Sequence, residues 1–600
     1  MKREDVNIKE TWDLSLIYKS EEDYKKDLEA YKNAIDNFVE AYKGKIKDFE
    51  VLDKSLKDFI KVNEYESRLG AYASLPVQAN AFDEKAVERY YDLVAIGNKY
   101  GAKLAFYENE LLSLDEDILK KAKEIQDFKV YIEELLDKKD RLLSKDVEEA
   151  LTSLSSTLSF PYRLYNDTKS LDIQFPDFNV DGKDYKLSYN SFEGAYEYDQ
   201  DTKVRRKAFE IFSKTIGNYQ HTTASTYNAQ VQKEKTLSKM RGYESVIDYL
   251  LDRQKVSRDL YNRQMDVIME ELAPYMRKYA GILKRIHNLD EIRYSDLKIE
   301  VDPDYSAEIS FEQAKNYVLE GLQVMGEDYL AIIEEAFDNR WIDYANNDGK
   351  STGAFASSPY GTPSFILMTF NGIMSDVMTL AHELGHAGHF QLTHENQSIL
   401  NSDPSMYFVE APSTTNELIV ENHLLNLADK KNDLRMKRWV LSQMVAKTYY
   451  HNFVTHLLEA YYQREVYKLV DQGTDLNAKI LNKIFKESLE KFWGDAVVLD
   501  EGAELTWMRQ PHYYMGLYPY TYSAGLTIGT QVSKKIRNEG KSAADQWKEV
   551  LKMGGTQSPE QLAKAAGVDV STDQPLKDTV AYIGSLIDQI EEISEELGEI

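Results

Sequence analysis

The sequence His382-Glu383-Leu384-Gly385-His386 is the starting point for interpreting this chain. It is an H-E-x-x-H motif in a protein of 600 residues with only ten histidines, four of them in or just after the motif. On a helix its two histidines lie about 40° apart and about 6 Å along the axis, so both imidazoles point the same way. Two such nitrogens can share one zinc ion, and the glutamate, about 100° away, is placed to act as a general base. The alternative, a solvated helix with incidental histidines, leaves the clustering of a scarce residue unexplained.

The residues around the motif favour an amphipathic helix that follows a short β segment. Ser375 is placed to cap the helix, and apolar residues recur at helical spacing at Val377, Leu380, Leu384 and Ala387. Residues 353–371 combine turn residues with a short apolar run, which predicts strand–turn–strand immediately ahead of the helix.

A catalytic zinc ion needs a third protein ligand and an open position. His389 faces the same side but lies too far along the axis, and the position where a metzincin would carry its third histidine is Leu392. Downstream, Glu410 and Glu417 are seven residues apart in a helical pattern, in which Pro412 is tolerable only in the first turn. One glutamate can bind the metal while the other accepts a hydrogen bond from the non-ligating nitrogen of a ligand histidine. The spacing alone does not decide which glutamate has which role.

The composition restricts the class of protein further. The absence of cysteine excludes disulfides, thiolate metal sites and a thiol nucleophile, so a transition-metal site must use histidine and carboxylate. The net charge of −28 argues against nucleic acid and anionic membrane surfaces as partners. No apolar signal segment opens the chain and no run approaches the about 18 apolar residues of a membrane span, so we expect a cytoplasmic protein.

The N-terminal part of the chain is predicted to be helical. Apolar residues alternate in steps of three and four through residues 21–43, with Ser20 placed as a cap, and the pattern recurs in residues 58–72, 84–107 and 115–136. This periodicity predicts several long amphipathic helices.

A β-hairpin is predicted where the helical period breaks. Alternating runs at Leu171–Phe175 and Tyr185–Tyr189 flank the turn dipeptide Asp181-Gly182. We therefore expect two regions, an N-terminal helical region ending in the hairpin, residues 1–195, and a catalytic region, residues 196–600.

These motifs together resemble the thimet-oligopeptidase family of zinc metallopeptidases and, within it, the bacterial oligoendopeptidase F group. The resemblance rests on H-E-L-G-H-A-G-H at residues 382–389, on F-V-E-A-P-S at residues 408–413 with Glu417, and on the tyrosine-rich stretch at residues 512–522. In that family the glutamate of the second segment is the third zinc ligand, which selects Glu410 here. The zinc motif is highly specific, whereas the spacing of the tyrosines departs from the thimet-type pattern by about two residues.

The resemblance also implies a fold and further site residues. In the family a histidine and tyrosines from the third segment donate hydrogen bonds to the oxyanion, which points to His512, Tyr520 and Tyr522. The alternative for these tyrosines is aromatic core packing. The implied fold is mainly α, a large multi-helix protein with two helical halves around a deep channel and small β-hairpin and sheet elements.

The resulting hypothesis is a zinc-dependent endopeptidase that hydrolyses internal bonds of short oligopeptides. One Zn²⁺ per chain would be held by His382, His386 and Glu410, with Glu383 as the base, and the strand near residues 353–370 would pair with an extended substrate. The alternative is a non-catalytic helical peptide-binding or scaffold protein with a structural or inert motif. A zinc carboxypeptidase or aminopeptidase would need a group that captures a chain terminus, and the sequence identifies none.

Overall fold

The computed structural model describes residues 1–139, 141–305 and 308–600 and is mainly helical, as predicted. Ser20 caps the first helix by accepting a hydrogen bond from the Asp23 amide at 3.1 Å. The pattern at residues 115–136 is divided over two helices, because the backbone is extended at Ile125 and the chain turns there. The N-terminal helices are α1 Glu21–Tyr42, α2 Phe49–Ala79, α3 Glu84–Leu112, α4 Glu116–Lys123, α5 Lys129–Lys139, α6 Lys145–Ser153, α7 Ser155–Leu158 and α8 Phe160–Asp167.

The predicted hairpin is present, but its strands lie closer to the turn than the alternating pattern indicated. Asp181 and Gly182 both have positive φ, as a two-residue hairpin turn requires, so pairing begins directly beside them. The strands are β1 Phe178–Val180 and β2 Lys183–Tyr185. The prediction of strands at Leu171–Phe175 and Tyr185–Tyr189 was therefore wrong.

Helices also fill the centre of the chain, between the hairpin and a small sheet. They are α9 Tyr189–Gly194, α10 Thr202–Gly217, α11 Gln220–Met240, α12 Val246–Asp252, α13 Arg258–Val267, α14 Ala273–Ile286, α15 Phe311–Leu322 and α16 Glu327–Asp338.

The predicted strand–turn–strand segment forms part of this sheet. β3 Ile342–Asp343 pairs in parallel with β5 Phe365–Leu367, and β4 Phe355–Ser357 pairs antiparallel with the other side of β5. The strand order β3-β5-β4 leaves β4 at the edge of the sheet.

The remaining helices surround the candidate site. They are α17 Met374–Asn396, α18 Ala411–Lys431, α19 Leu434–Gln443, α20 His456–Asp471, α21 Ala478–Trp493, α22 Pro519–Glu539, α23 Lys541–Leu551, α24 Pro559–Ala565 and α25 Gln574–Glu596. Two π-helical stretches, Met444–Tyr449 and His451–Thr455, lead from α19 into α20.

The main hydrophobic core extends from Tyr165 to Ile593, so the hairpin packs with the C-terminal part of the chain. Two separate clusters hold the N-terminal helices together. A further cluster joins Trp12 and Leu75 to Phe365 of β5, which fixes α2 against the sheet. None of the helices in the described part of the chain is both long and apolar enough to span a bilayer.

Candidate metal centre

Helix α17 carries the H-E-x-x-H motif, and its start is fixed by Asp376. The carboxylate of Asp376 accepts hydrogen bonds from the backbone amides of Asn371, at 2.7 Å, and Ile373, at 3.2 Å. Ser375 already lies inside the first turn of the helix, so the prediction that it caps the helix was wrong. The carboxylate thus fixes the loop that leads into the helix, and its charge in the first turn complements the helix dipole.

A close approach between α17 and α18 brings the third candidate ligand to the motif. A Cβ atom on Gly385 would lie 2.6 Å from the Ser413 Cα and 2.7 Å from the Pro412 oxygen. The glycine within the motif is therefore needed for packing against the first turn of α18. Glu410 directly precedes that turn, and Pro412 lies within it, as predicted.

His382, His386 and Glu410 present their ligand atoms to one point. The Nε2 atoms of His382 and His386 lie 3.4 Å and 3.3 Å from Oε2 of Glu410. Ligands around a tetrahedral zinc ion with bonds of about 2.0–2.1 Å lie about 3.3 Å apart, so these three residues fit one ion with a fourth position left open. His389 is not part of this group.

Glu417 is placed behind His382 and away from that point. Its Oε2 lies 3.0 Å from Nδ1 of His382, while its other oxygen accepts a hydrogen bond from the Thr448 hydroxyl. A histidine whose second nitrogen is held by a carboxylate has a fixed ring orientation and a more basic ligating nitrogen. Of the two assignments that the spacing left open, the geometry favours Glu410 as the ligand and Glu417 as its support.

Glu383 lies beside the three candidate ligands in a buried position. Its Oε2 atom is buried, and none of the described residues offers it a hydrogen-bond partner. Burial raises the pKa of this carboxyl, and the positive field of His382 and His386 offsets that rise only in part. A carboxylate with a free oxygen and a raised pKa suits proton transfer.

The electrostatics of the cluster favour a cation at its centre. Burial opposes the ionisation of Glu410, but the imidazoles of His386 and His382 outweigh it and hold the pKa of Glu410 well below its usual range. Burial likewise lowers the pKa of His382, yet its bonds to Glu410 and Glu417 raise it well above the usual range overall. The carboxylates of Glu410 and Glu417 thus stabilise positive charge beside them, and a divalent metal ion bound there would replace the protons of the imidazoles.

His389 has a different environment from the other two histidines of the motif region. Its side chain is 1 % exposed and lies beside the rings of Phe390 and Phe408. Burial lowers its pKa to about 3. His389 is therefore a neutral residue of the hydrophobic core.

Helix α22 packs against α18 and brings the tyrosine-rich segment close to Glu410. A Cβ atom on Gly525 would lie 2.7 Å from the Cβ of Glu410, so the glycine permits this contact. Burial raises the pKa of both Tyr518 and Tyr522, and the charge of Glu410 raises both further. The two hydroxyl groups therefore lie within the electrostatic field of a candidate metal ligand.

The structure places His512 and Tyr522 together but puts Tyr520 elsewhere. The ring centres of His512 and Tyr522 are 5.7 Å apart. Tyr520 is two residues before Tyr522 on the same helix, about 200° around the axis, and its hydroxyl donates to Gln254. Its ring lies between Tyr261 and Tyr407 in the core.

Sequence reasoning missed several residues that surround His512. Nδ1 of His512 lies 3.4 Å from Oε2 of Glu459, and Nδ1 of His456 lies 2.8 Å from the same oxygen. The ring of His456 also stacks on Tyr522 with centres 3.9 Å apart. Tyr518, one helical turn before Tyr522, is a further candidate donor that its spacing could have indicated.

Comparisons with known proteins agree with this architecture. The chain matches the sequence profile of peptidase family M3 over residues 195–582 and a profile described as oligopeptidase F over residues 110–175. It is 30 % identical to oligopeptidase PepF of Bacillus subtilis, over 98 % of this chain and 88 % of the relative. It is 26 % identical to an oligoendopeptidase F homolog of Lactococcus lactis, over 99 % of this chain and 98 % of the relative.

Solved structures show the same fold at lower sequence identity. A putative peptidase from Chlamydophila abortus superposes with a TM-score of 0.86 at 20 % identity and covers 99 % of both chains. Oligoendopeptidase-F from Enterococcus faecium superposes with a TM-score of 0.74 at 21 % identity, over 95 % of this chain and 98 % of that one. The resemblance to the oligoendopeptidase F group is thus confirmed, and the chain belongs to peptidase family M3.

Proposed function

We propose that this protein is a zinc-dependent endopeptidase that hydrolyses internal bonds of short oligopeptides. The observation that carries the proposal is the convergence of His382, His386 and Glu410 on one point, with the buried carboxylate of Glu383 beside it. These three residues would hold one Zn²⁺. When bound, zinc supplies a Lewis acid that polarises the scissile carbonyl and makes water a better nucleophile.

The residues of the chain account for the proton transfers. Glu383 would accept a proton from the attacking water and deliver it to the departing amine, since its free oxygen and raised pKa suit both steps. Glu417 would keep His382 in the ligating orientation.

The donors of the tyrosine-rich segment at residues 512–522 would act on the carbonyl oxygen. His512 is partly exposed and, with Tyr522, lies in the segment that packs over Glu410. Donors aimed at the position where negative charge develops contribute roughly 3–4 kcal/mol each to catalysis. The ring of Tyr518 lies edge to face against that of Tyr522, with centres 5.2 Å apart, and would help to position it.

Substrate would bind as an extended chain along the edge strand β4. Its side chains are only partly buried, and it has a paired neighbour on one side only. Main-chain pairing at such an edge accepts peptides of many sequences. The loop after β4 bonds to both α2 and α17, through Ser67 and Gln391, so the N-terminal helices lie next to this strand.

The first test is digestion of an internally quenched peptide of about ten residues, with products identified by mass spectrometry. The expected result is cleavage at internal bonds that a chelator abolishes and a stoichiometric amount of zinc restores. Cleavage confined to the terminal residue would indicate an exopeptidase, and no metal-dependent cleavage would favour the scaffold alternative.

The second test concerns the channel that the two helical halves would enclose. The same cleavable sequence is offered as a free peptide and in an exposed loop of a folded domain with a radius of about 13 Å. We expect only the free peptide to be cut. Comparable cleavage of the folded form would show that the site is open, and would remove the enclosing role from residues 1–195.

A further inference from the structure

A second cluster of histidine and carboxylate donors lies outside the H-E-x-x-H centre. Among the described residues, His456, Glu459 and His512 form the other group whose ligand atoms all lie within 4.8 Å of one another. His456 and Glu459 are three residues apart at the start of α20 and share a face, and His512 approaches from the short 3-10 helix Pro511–Tyr514. Two imidazoles and one carboxylate are the same donor types as in the first centre.

Glu459 is an incompletely satisfied carboxylate in the protein interior. It is 1 % exposed; its Oε2 lies 2.8 Å from Nδ1 of His456 and 3.4 Å from Nδ1 of His512. Its Oε1 atom is buried, and the described residues give it no hydrogen-bond partner. A buried charged oxygen without a partner is costly, and a bound cation would satisfy it.

The surroundings of His456 also suit a metal ligand. Its Nε2 lies 3.0 Å from Nε2 of His451, which is within hydrogen-bond distance, so His451 can accept the Nε2 proton of His456. When Nε2 of His456 donates its proton to His451, Nδ1 is the nitrogen that can bind a cation in place of the proton that it donates to Glu459. Ligating histidines usually have their second nitrogen fixed by such a hydrogen bond.

We propose that His456, Glu459 and His512 form a second binding site for a divalent cation of the zinc type, and that a cation there withdraws His512 from the substrate. The second half of this statement rests on the proposed function, because it assumes that His512 serves the reaction. Without the cation, Glu459 accepts the N–H groups of both histidines, and binding releases those protons to solvent.

The second site should be the weaker of the two. The cation must replace the protons that the two histidines donate to Glu459. The positive charge of the nearby Lys169 also interacts with Glu459 and so opposes the binding of a further cation. By contrast, His382 in the first centre faces two carboxylates, Glu410 and Glu417. The second site therefore fills only after the first.

The test measures bound metal by equilibrium dialysis of the full-length chain against rising zinc concentrations. The wild type should bind about two ions per chain in two steps, and Glu459→Gln and His456→Phe should each retain about one. Glu465→Gln, on the same helix, is the control and should bind as the wild type does. Saturation of the wild type at one ion, or a second ion that survives both variants, would overturn the proposal.

Cobalt provides a second readout that does not depend on activity. In His386→Ala, whose first centre is disabled, Co²⁺ should still give visible absorption from histidine-bound metal, and adding Glu459→Gln should abolish it. Circular dichroism of each variant verifies folding. Absorption that persists in the double variant would place the cobalt elsewhere and contradict the assignment.

The inhibitory effect is measured separately on the wild type. Peptide cleavage should be highest near one equivalent of zinc, and kcat should fall as the second equivalent binds. Unchanged kcat with two ions bound would overturn the claim about His512. Absence of cleavage at every zinc level would instead overturn the proposed function, and the dialysis result would still decide whether the second site exists.

Discussion

The two histidine clusters are built in different ways. In the H-E-x-x-H centre, two ligands come from one helix and the third from the start of the next, and Gly385 allows those helices to meet. In the His512 cluster, His456 and Glu459 come from the start of α20 and His512 from a 3-10 helix, and the adjoining Tyr522 comes from the start of α22. The first cluster is fixed mainly by local helix geometry and the second by tertiary packing.

This difference has a functional consequence. A centre held by one helix pair is rigid enough to bind a metal ion in one geometry. The second cluster instead supplies hydrogen-bond donors, which stabilise an oxyanion because they are already in place when the negative charge develops. We therefore expect substitutions of the ligands in the first cluster to abolish metal binding at that centre, and substitutions of the donors His512 and Tyr522 to reduce turnover.

The largest effect should come from removing the third ligand. Glu410→Ala should lose the zinc ion of the H-E-x-x-H centre, because two histidines on one helix do not complete that metal site. Glu417→Ala should retain zinc with an affinity reduced by about 10–100-fold, since it loses only the support of His382. Metal content after dialysis distinguishes the two residues. Stoichiometric zinc in Glu410→Ala, together with its loss from Glu417→Ala, would exchange their roles.

Substitutions of the donors in and beside the second cluster should lower kcat. His512→Ala and Tyr522→Phe are expected to lower kcat by about 10²–10³-fold with little change in KM, because the hydrogen bond strengthens only as charge develops. Tyr520→Phe is the matched control and should have a much smaller effect, since its hydroxyl bonds to Gln254 in the core. Steady-state kinetics at one equivalent of zinc gives the comparison. A pure KM effect in His512→Ala would limit this segment to substrate binding.

The helix contact that positions Glu410 can be tested through Gly385. Gly385→Ala should destabilise the protein by about 1–3 kcal/mol and weaken zinc binding, because the added methyl group meets the backbone of Pro412 and Ser413. Gly281→Ala, at a helical glycine with open space around it, should be neutral or stabilising by up to about 1 kcal/mol. Denaturant unfolding measures both variants. Equal stability of the two would mean that the close approach is not required.

The smallest effect on function is expected at His389. His389→Phe should retain zinc, because His389 lies in the core and not among the ligands. Burial lowers its pKa to about 3, against about 6.5 in the unfolded chain, so its contribution to stability is complete above pH 6.5 and is lost as the pH falls toward 3. The variant should therefore lose less stability on acidification. Loss of zinc from His389→Phe would contradict this assignment.

The sequence predicted the parts of the structure that follow from local geometry. The helix that carries the H-E-x-x-H motif, the position of Pro412 in the first turn of α18 and the cap at Ser20 all depend on neighbouring residues. The cap at Ser375 was mispredicted because serine is a good cap in general, whereas here Asp376 reaches back to two loop amides.

Other features depended on contacts that the sequence does not show. The alternation at Leu171–Phe175 indicated a strand, but the chain forms a π-helical turn at Thr168–Asp172. The sequence does not distinguish Tyr520 from Tyr522 as a donor. The start of α22 at Pro519 decides which of the two side chains faces His512. The cytoplasmic location and the boundary at residue 195 stay predictions.

The central claim is that Glu383 is the base of a metal-dependent hydrolysis, and Glu383→Gln tests it most directly. The control is Glu395→Gln, an exposed glutamate on the same helix. Zinc content and cleavage of the quenched peptide are measured on both variants. Glu383→Gln should bind zinc as the wild type does and lose at least about 10²–10⁴-fold in kcat, while Glu395→Gln changes neither. A Glu383→Gln variant that holds zinc and cleaves the peptide at the wild-type rate would contradict the account.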